Sequence, residues 1–203
     1  DVRVAGSQLT VNGRPLFLRG TLECAIFPLT GYPPTDVASW KRILRIAREH
    51  GLNHLRFHSW CPPEAAFVAA DEMGFYYQVE CSAWSSEFNK GTALDTWIYS
   101  ESERIVKARG NHPSFLLMAP SNEPGGPGYE PFLARFVGHW KAKDDRRLYT
   151  AGSGWPSLPA NEFHVTPGAR AYPVHSARDG RNATDYGEFL ARQNRPVVSH
   201  EIG

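Results

Sequence analysis

Glu123 closes the apolar run FLLMAPSNE, and Glu201 closes RPVVSHE 78 residues later. Each stands where a candidate buried strand meets a stop: Pro124-Gly125-Gly126 follows the first, Ile202-Gly203 the second. Two carboxyls that converge from separate strand ends can cleave a glycosidic bond. One protonates a poor leaving oxygen, and the other opposes the positive charge that develops at the anomeric carbon. A gap of about 5 Å between them suits retention of configuration, whereas roughly 6.5–9.5 Å leaves room for a water and inversion. Mutual proximity and unequal solvation can keep one protonated while the other is ionised. Taken alone, Glu123 reads first as a solvated loop charge, because loop glutamates are common.

Further polar residues stand at the ends of apolar runs: Glu23, His58, Glu80 and His164. Glu80 and Glu23 could bind a hydroxyl or satisfy a neighbour. Arg56 precedes His58 on one candidate strand and could be an ion-pair partner inside a barrel. His58 is read as a substrate contact in preference to core packing. Trp84 could stack on a sugar face or simply pack. His54 and His58 share strand parity, and His164 and His200 could join them, which defines an alternative metal-dependent hydrolase. Their spacing matches no tight ligand motif. His112, just before a strand, is read as structural.

These residues need elements to carry them. LTVNGRPLFLRG alternates apolar and polar residues around Asn12-Gly13, a type I′ hairpin signal, and its second arm is expected to run on toward Glu23. From Thr35, read as an N-cap, Val37, Trp40, Leu44 and Ala47 form one helix face that Gly51 ends. LNHLRFHSW then reads as a strand, EAAFVAADEM as a helix stopped by Gly74, and FYYQVEC as a strand. A helix is expected from about Asp95 to Arg109, then a strand in PSFLLMAPS. Phe132, Leu133, Phe136, Val137 and Trp140 mark the next helical face. LYTAGSG, FHVT and PVVSHEIG read as strands, with a helix from Tyr186 to Gln193 before the last.

Alternating strands and helices imply a parallel sheet with helical crossovers. Open doubly wound sheets and closed barrels both satisfy this. No G-x-G-x-x-G or P-loop follows the first strand, which weakens the nucleotide-binding open sheets. Polar residues at strand ends suit the active face of a TIM barrel. The expected fold is therefore an α/β (β/α)8 TIM barrel, incomplete at its C-terminus with about seven strands. Residues 1–14 are expected as an entry hairpin and 15–203 as the partial barrel.

The chain has 203 residues, 41% hydrophobic and 21% charged, with a net charge of +1. That suits one sizeable core, and such a balance gives no reason to expect a nucleic-acid or membrane partner. No apolar run approaches the ~20 residues of a membrane span. Asp1-Val2-Arg3 leads into a polar, alternating stretch without a signal-peptide pattern, and the lack of an initiating Met favours a mature or excised piece. Cys24, Cys61 and Cys81 form no C-x-x-C pair and are read as small semi-buried thiols. Asn182-Ala183-Thr184 is a short sequon match of little weight.

RPLFLRG, GLNHLRFHSWCPPEAAFVAADEMGF, RGNHPSFLLMAPSNE and RPVVSHEIG, in this order, resemble the barrel domain of glycoside hydrolase family 2 over about residues 9–203. The resemblance implies Glu123 as acid/base, Glu201 as nucleophile, Asn122 on the sugar 2-hydroxyl, and Arg56 holding the nucleophile ionised. It implies a retaining exo-glycosidase acting on a terminal sugar by double displacement. No metal or organic cofactor is expected, and the partners are a carbohydrate substrate and further domains of a longer parent. A secreted or periplasmic location is in keeping with it. The family's tyrosine near strand six is absent from FHVT, so His164 or Tyr172 would stand in. Ser199-His200 is an unusual lead-in to Glu201, and it puts His200 beside the substrate. A glycan-binding barrel without turnover is a further alternative.

Overall fold

The computed structural model describes residues 1–167 and 187–201. Tyr172, the sequon 182–184, Tyr186 and the final Ile202-Gly203 lie outside the described residues.

The chain opens as an antiparallel meander of β1 (Val2–Ala5), β2 (Gln8–Val11) and β3 (Arg14–Leu16). Asn12 and Gly13 turn β2 into β3 with φ of 51° and 74°, the left-handed pair that a type I′ turn requires. The expected hairpin thus has a third strand, β1, whose Val2 is buried. The second arm does not run on as expected. It ends at Leu16, and Gly20–Glu23 forms a separate strand, β4, paired in parallel with β5 (His54–Phe57).

Five strands then lie side by side in parallel: β4, β5, β6 (Tyr76–Glu80), β7 (Phe115–Ala119) and β8 (Leu148–Tyr149). β9 (His164–Thr166) and β10 (Val197–Ser199) form a second parallel pair. Single bridges from Ser153 to Asn122 and to Val165 join the two groups, so all seven strands follow in chain order. Among the described residues β10 is not hydrogen-bonded to β4, so closure of a barrel is not seen.

Helices α1 (Val37–Glu49), α2 (Glu64–Met73), α3 (Ala93–Arg109) and α4 (Tyr129–Lys143) make the crossovers between β4 and β8, and α5 (Gly187–Ala191) precedes β10. The N-cap of α1 is Asp36 rather than Thr35. Its backbone is extended, and its carboxylate accepts the Ser39 N–H at 2.8 Å, which satisfies one orphan donor of the first turn. All five residues expected on the inner face of α4 are buried. Residues 150–163 hold no helix, so the strand–helix alternation lapses between β8 and β9.

The strand parity sorts the side chains. Leu55 and Phe57 of β5 and Tyr77 and Val79 of β6 join the main core under the helices, with Trp40, Phe67 and Trp140. Their alternates, Arg56, Gln78 and Glu80, take the opposite face and are also buried. A second core gathers Val2 and Leu9 of the meander with Leu117, Leu148 and Val165. The meander therefore packs against β7, β8 and β9, leaving the C-terminal strand ends for polar residues.

Candidate active site

Arg56 is the hub of those polar residues. It is 6% exposed and reaches three strands. Its Nη1 donates to Glu80 Oε1 at 2.5 Å and to Asn122 Oδ1 at 3.1 Å, and its Nη2 donates to Glu201 Oε1 at 2.7 Å. A β5 side chain thus reaches a residue that follows β10, in the other parallel group. Planar guanidinium geometry suits this task, since it presents several donors at fixed angles.

Glu80, at the end of β6, is fully buried. Besides Arg56, its Oε1 accepts from Ser153 Oγ at 2.6 Å and Gln78 Nε2 at 3.4 Å, and its Oε2 accepts from Ser59 N–H at 2.8 Å. Of the two readings open to it, Glu80 therefore satisfies neighbours rather than facing a ligand.

Glu123 and Glu201 both adopt left-handed backbone, φ 39° and 50°. Such conformations are uncommon for residues with a Cβ and gather where function over-determines the backbone. At Glu123 the turn is held by its N–H donating to Ser153 O at 2.8 Å. The next residue is held too, as Trp155 Nε1 donates to Pro124 O at 2.9 Å. Glycine is favoured at 154, where φ is +90° and a Cβ would stand 3.1 Å from Glu123 Cγ and 3.2 Å from His200 Cε1.

His200 is buried, with Nε2 3.2 Å from Glu201 Oε1 and 3.3 Å from Asn122 Oδ1. Glu123, His200 and Glu201 each bring one ligand-type atom within 4.8 Å of the others. Among the described residues this is the one group of three or more that could hold a metal. The Arg56 guanidinium already lies on Glu201 and opposes a second cation there. Asn122 is 1% exposed, and its Nδ2 has no hydrogen-bond partner among the described residues, so one donor stays available beside the carboxylates.

His58 Nε2 lies 3.8 Å from Glu201 Oε1, and its ring meets Trp84 edge-on at 5.0 Å. Trp84 is 65% exposed and forms part of the rim. Glu23, at the end of β4, is half-buried, and desolvation raises its pKa.

His164 departs from expectation. It opens β9 instead of ending it, sits against Asn161 Nδ2 at 3.3 Å, and burial lowers its pKa. The strand alternation of FHVT could not show that β9 ends at Thr166. The four-histidine metal site also fails. His54 and His58 lie four residues apart, roughly 13 Å along a strand, and His54 Nδ1 donates to Tyr76 O at 3.0 Å at the far end of β5. His112 is structural as read, lying between Asp71 and Glu64 and stacked on Phe67. Cys24 is exposed, and Cys61 and Cys81 are progressively more buried.

Ser153 and Gly154 were not singled out by sequence reasoning. Their signal is the small-residue run Ala151-Gly152-Ser153-Gly154 at a strand end, where close approach needs small side chains.

The fold sets a cluster of carboxylates at the C-terminal strand ends of a parallel α/β scaffold, and comparison with known proteins shows what that scaffold resembles. No family model matches the chain. It is 27% identical over 130 residues to a β-galactosidase of Lactococcus lactis, covering 61% of this chain and 13% of that protein. It is 26% identical over 168 residues to β-galactosidase 2 of Enterobacter cloacae, covering 80% and 16%. The structure of a family 2 β-galacturonidase from Eisenbergiella tayi bound to galacturonate matches all of this chain and 38% of its own, with a TM-score of 0.79 and 18% identity. A Ruminococcus gnavus β-glucuronidase matches 81% of this chain and 30% of its own, with a TM-score of 0.70 and 23% identity. These comparisons relate the chain to the glycosidases of glycoside hydrolase family 2, and it spans only a small part of the curated relatives' length.

Proposed function

We propose that the chain carries the catalytic pair of a retaining exo-glycosidase, a portion of a longer enzyme, with Glu123 as acid/base and Glu201 as nucleophile. One observation supports this above others: a carboxylate oxygen of Glu123 lies within 4.8 Å of one of Glu201, in the range where the second carboxylate itself attacks. An inverting enzyme would need a wider gap to admit water.

Glu123 protonates the glycosidic oxygen as Glu201 attacks the anomeric carbon from the opposite face, so the C–O bond breaks as the ester to Glu201 forms. Glu123, now ionised, takes a proton from water. That water displaces Glu201 and restores both groups. Arg56 holds the nucleophile through a charge-assisted hydrogen bond of 2.7 Å. The unengaged amide nitrogen of Asn122 suits a sugar hydroxyl, and Trp84 with His58 supplies an apolar rim for a sugar face. His200, packed between Glu201 and Asn122, would shape the sugar pocket. His164 has no place in this scheme.

The named relatives are β-galactosidases, so aryl β-galactosides and uronides head the substrate panel. The test is Glu201→Gly in the full-length protein. Hydrolysis should fall by about 10³-fold or more, and added azide should restore turnover with a glycosyl azide of inverted configuration. Near-wild-type hydrolysis by Glu201→Ala would sink the assignment.

A further inference from the structure

Glu80 has no direct part in that scheme, yet it is fully buried and bound to the same guanidinium as Glu201. We propose that Glu80 is a positioning residue that shares the charge of Arg56 with Glu201, and that Ser153 sets how the charge is divided while tying this pair to the backbone of Glu123.

The geometry carries both halves. Arg56 Nη1 serves Glu80 and Nη2 serves Glu201, so one positive charge faces two carboxylates. Glu80 cannot turn to solvent, and its remaining donors are neutral: Ser153 Oγ, Ser59 N–H and Gln78. Ser153 does four jobs. Its hydroxyl donates to Glu80 and accepts from Gln78 Nε2 at 2.7 Å, its carbonyl holds the Glu123 N–H, and its N–H donates to Ser121 O at 3.0 Å. Displacement of Glu80 would therefore be felt at both members of the carboxylate pair. A nucleophile whose counter-charge is partly committed elsewhere is held less tightly by the cation than one with the whole charge. That suits it both to attack and, in the second step, to be displaced.

The inference rests on Glu201 being the nucleophile, and the probe is chosen to test that separately. The groups facing Glu201 are Arg56 and His58 from the β5 end, His200 from its own strand, Glu123 from the β7 end, and Cys24 from the β4 end. None of these is altered. The full-length protein is treated with a 2-deoxy-2-fluoroglycosyl fluoride of the series whose aryl glycoside it hydrolyses. The rate of covalent trapping is followed against pH. Fluoride leaves without acid assistance, so the acid limb reports the ionisation of Glu201.

Glu80→Gln removes one negative charge and keeps the shape. Two carboxylates bridged by one guanidinium repel each other, so the acid limb should move to lower pH. Ser153→Ala removes a donor from Glu80, which then draws harder on Arg56, and the limb should move up. Opposite shifts in the two variants support charge sharing. A limb unmoved in Ser153→Ala, or both moving the same way, overturns it. If Glu80→Gln fails to fold, Ser153→Ala decides alone. A wild-type protein that forms no adduct on Glu201 overturns the nucleophile assignment itself, whereas an adduct with unmoved limbs overturns only the role of Glu80.

Discussion

Arg56→Met separates what the site contributes to stability from what it contributes to chemistry. Arg56 and Glu80 are buried together, with side-chain exposures of 8% and 0%. Deleting the cation leaves a buried carboxylate with only neutral donors. Breaking a buried pair in this way typically destabilises by about 3–5 kcal/mol. Glu80 keeps hydrogen bonds from Ser153, Ser59 and Gln78, so the lower end, about 3 kcal/mol, is expected. Glu201, one-third exposed, adds little because solvent screens it. Adding Glu80→Gln removes the stranded charge, and the double variant should recover about 2 kcal/mol. Activity should not recover, because Glu201 still lacks the guanidinium that holds it, and kcat/KM should stay depressed. Hydrogen exchange of the β5 and β6 amides in the full-length protein reads the local stability without assuming that all domains unfold together. The reasoning is refuted if Arg56→Met costs under about 1 kcal/mol, or if the double variant is no more stable than the single one.

Two further outcomes follow from other positions. Gly154→Ala would put a methyl group against Glu123 and His200 at a positive φ, so kcat should drop about 10–100-fold with the fold retained; an unchanged kcat would show that the turn yields freely. His54 is buried, and desolvation lowers its pKa to about 4 from 6.5. Its neutral form is favoured in the fold, so its contribution is complete above pH 6.5 and is lost as pH falls toward 4, by about 3 kcal/mol. His54→Asn should flatten the stability–pH curve over that window, and an identical curve would exclude the assignment.

Much of the scaffold was legible because it depends on local periodicity. The α4 face, the Asn12-Gly13 turn and the αL stop at Gly74 each follow from a few adjacent residues and their sterics. Where expectation slipped, the deciding factor was non-local or one residue in extent. Asp36 displaced Thr35 as the cap because its carboxylate reached Ser39. β3 and β4 separated because Gly20–Glu23 pairs with β5 and not with β2. His164 fell at the wrong end of β9 because alternation marks faces and not ends.

By itself the chain determined residue types at strand ends: Glu123 and Glu201 as acids, Asn122 as an amide, and Arg56 as a cation between apolar neighbours. Those follow from the period of two and from where the apolar runs stop. Only the tertiary structure decided that residues 56, 80, 122, 153, 200 and 201 meet. Their convergence depends on how the five-strand sheet and the β9–β10 pair curve together and on left-handed turns at two glutamates. Curvature accumulates over many strand pairings, and no short window of sequence encodes it.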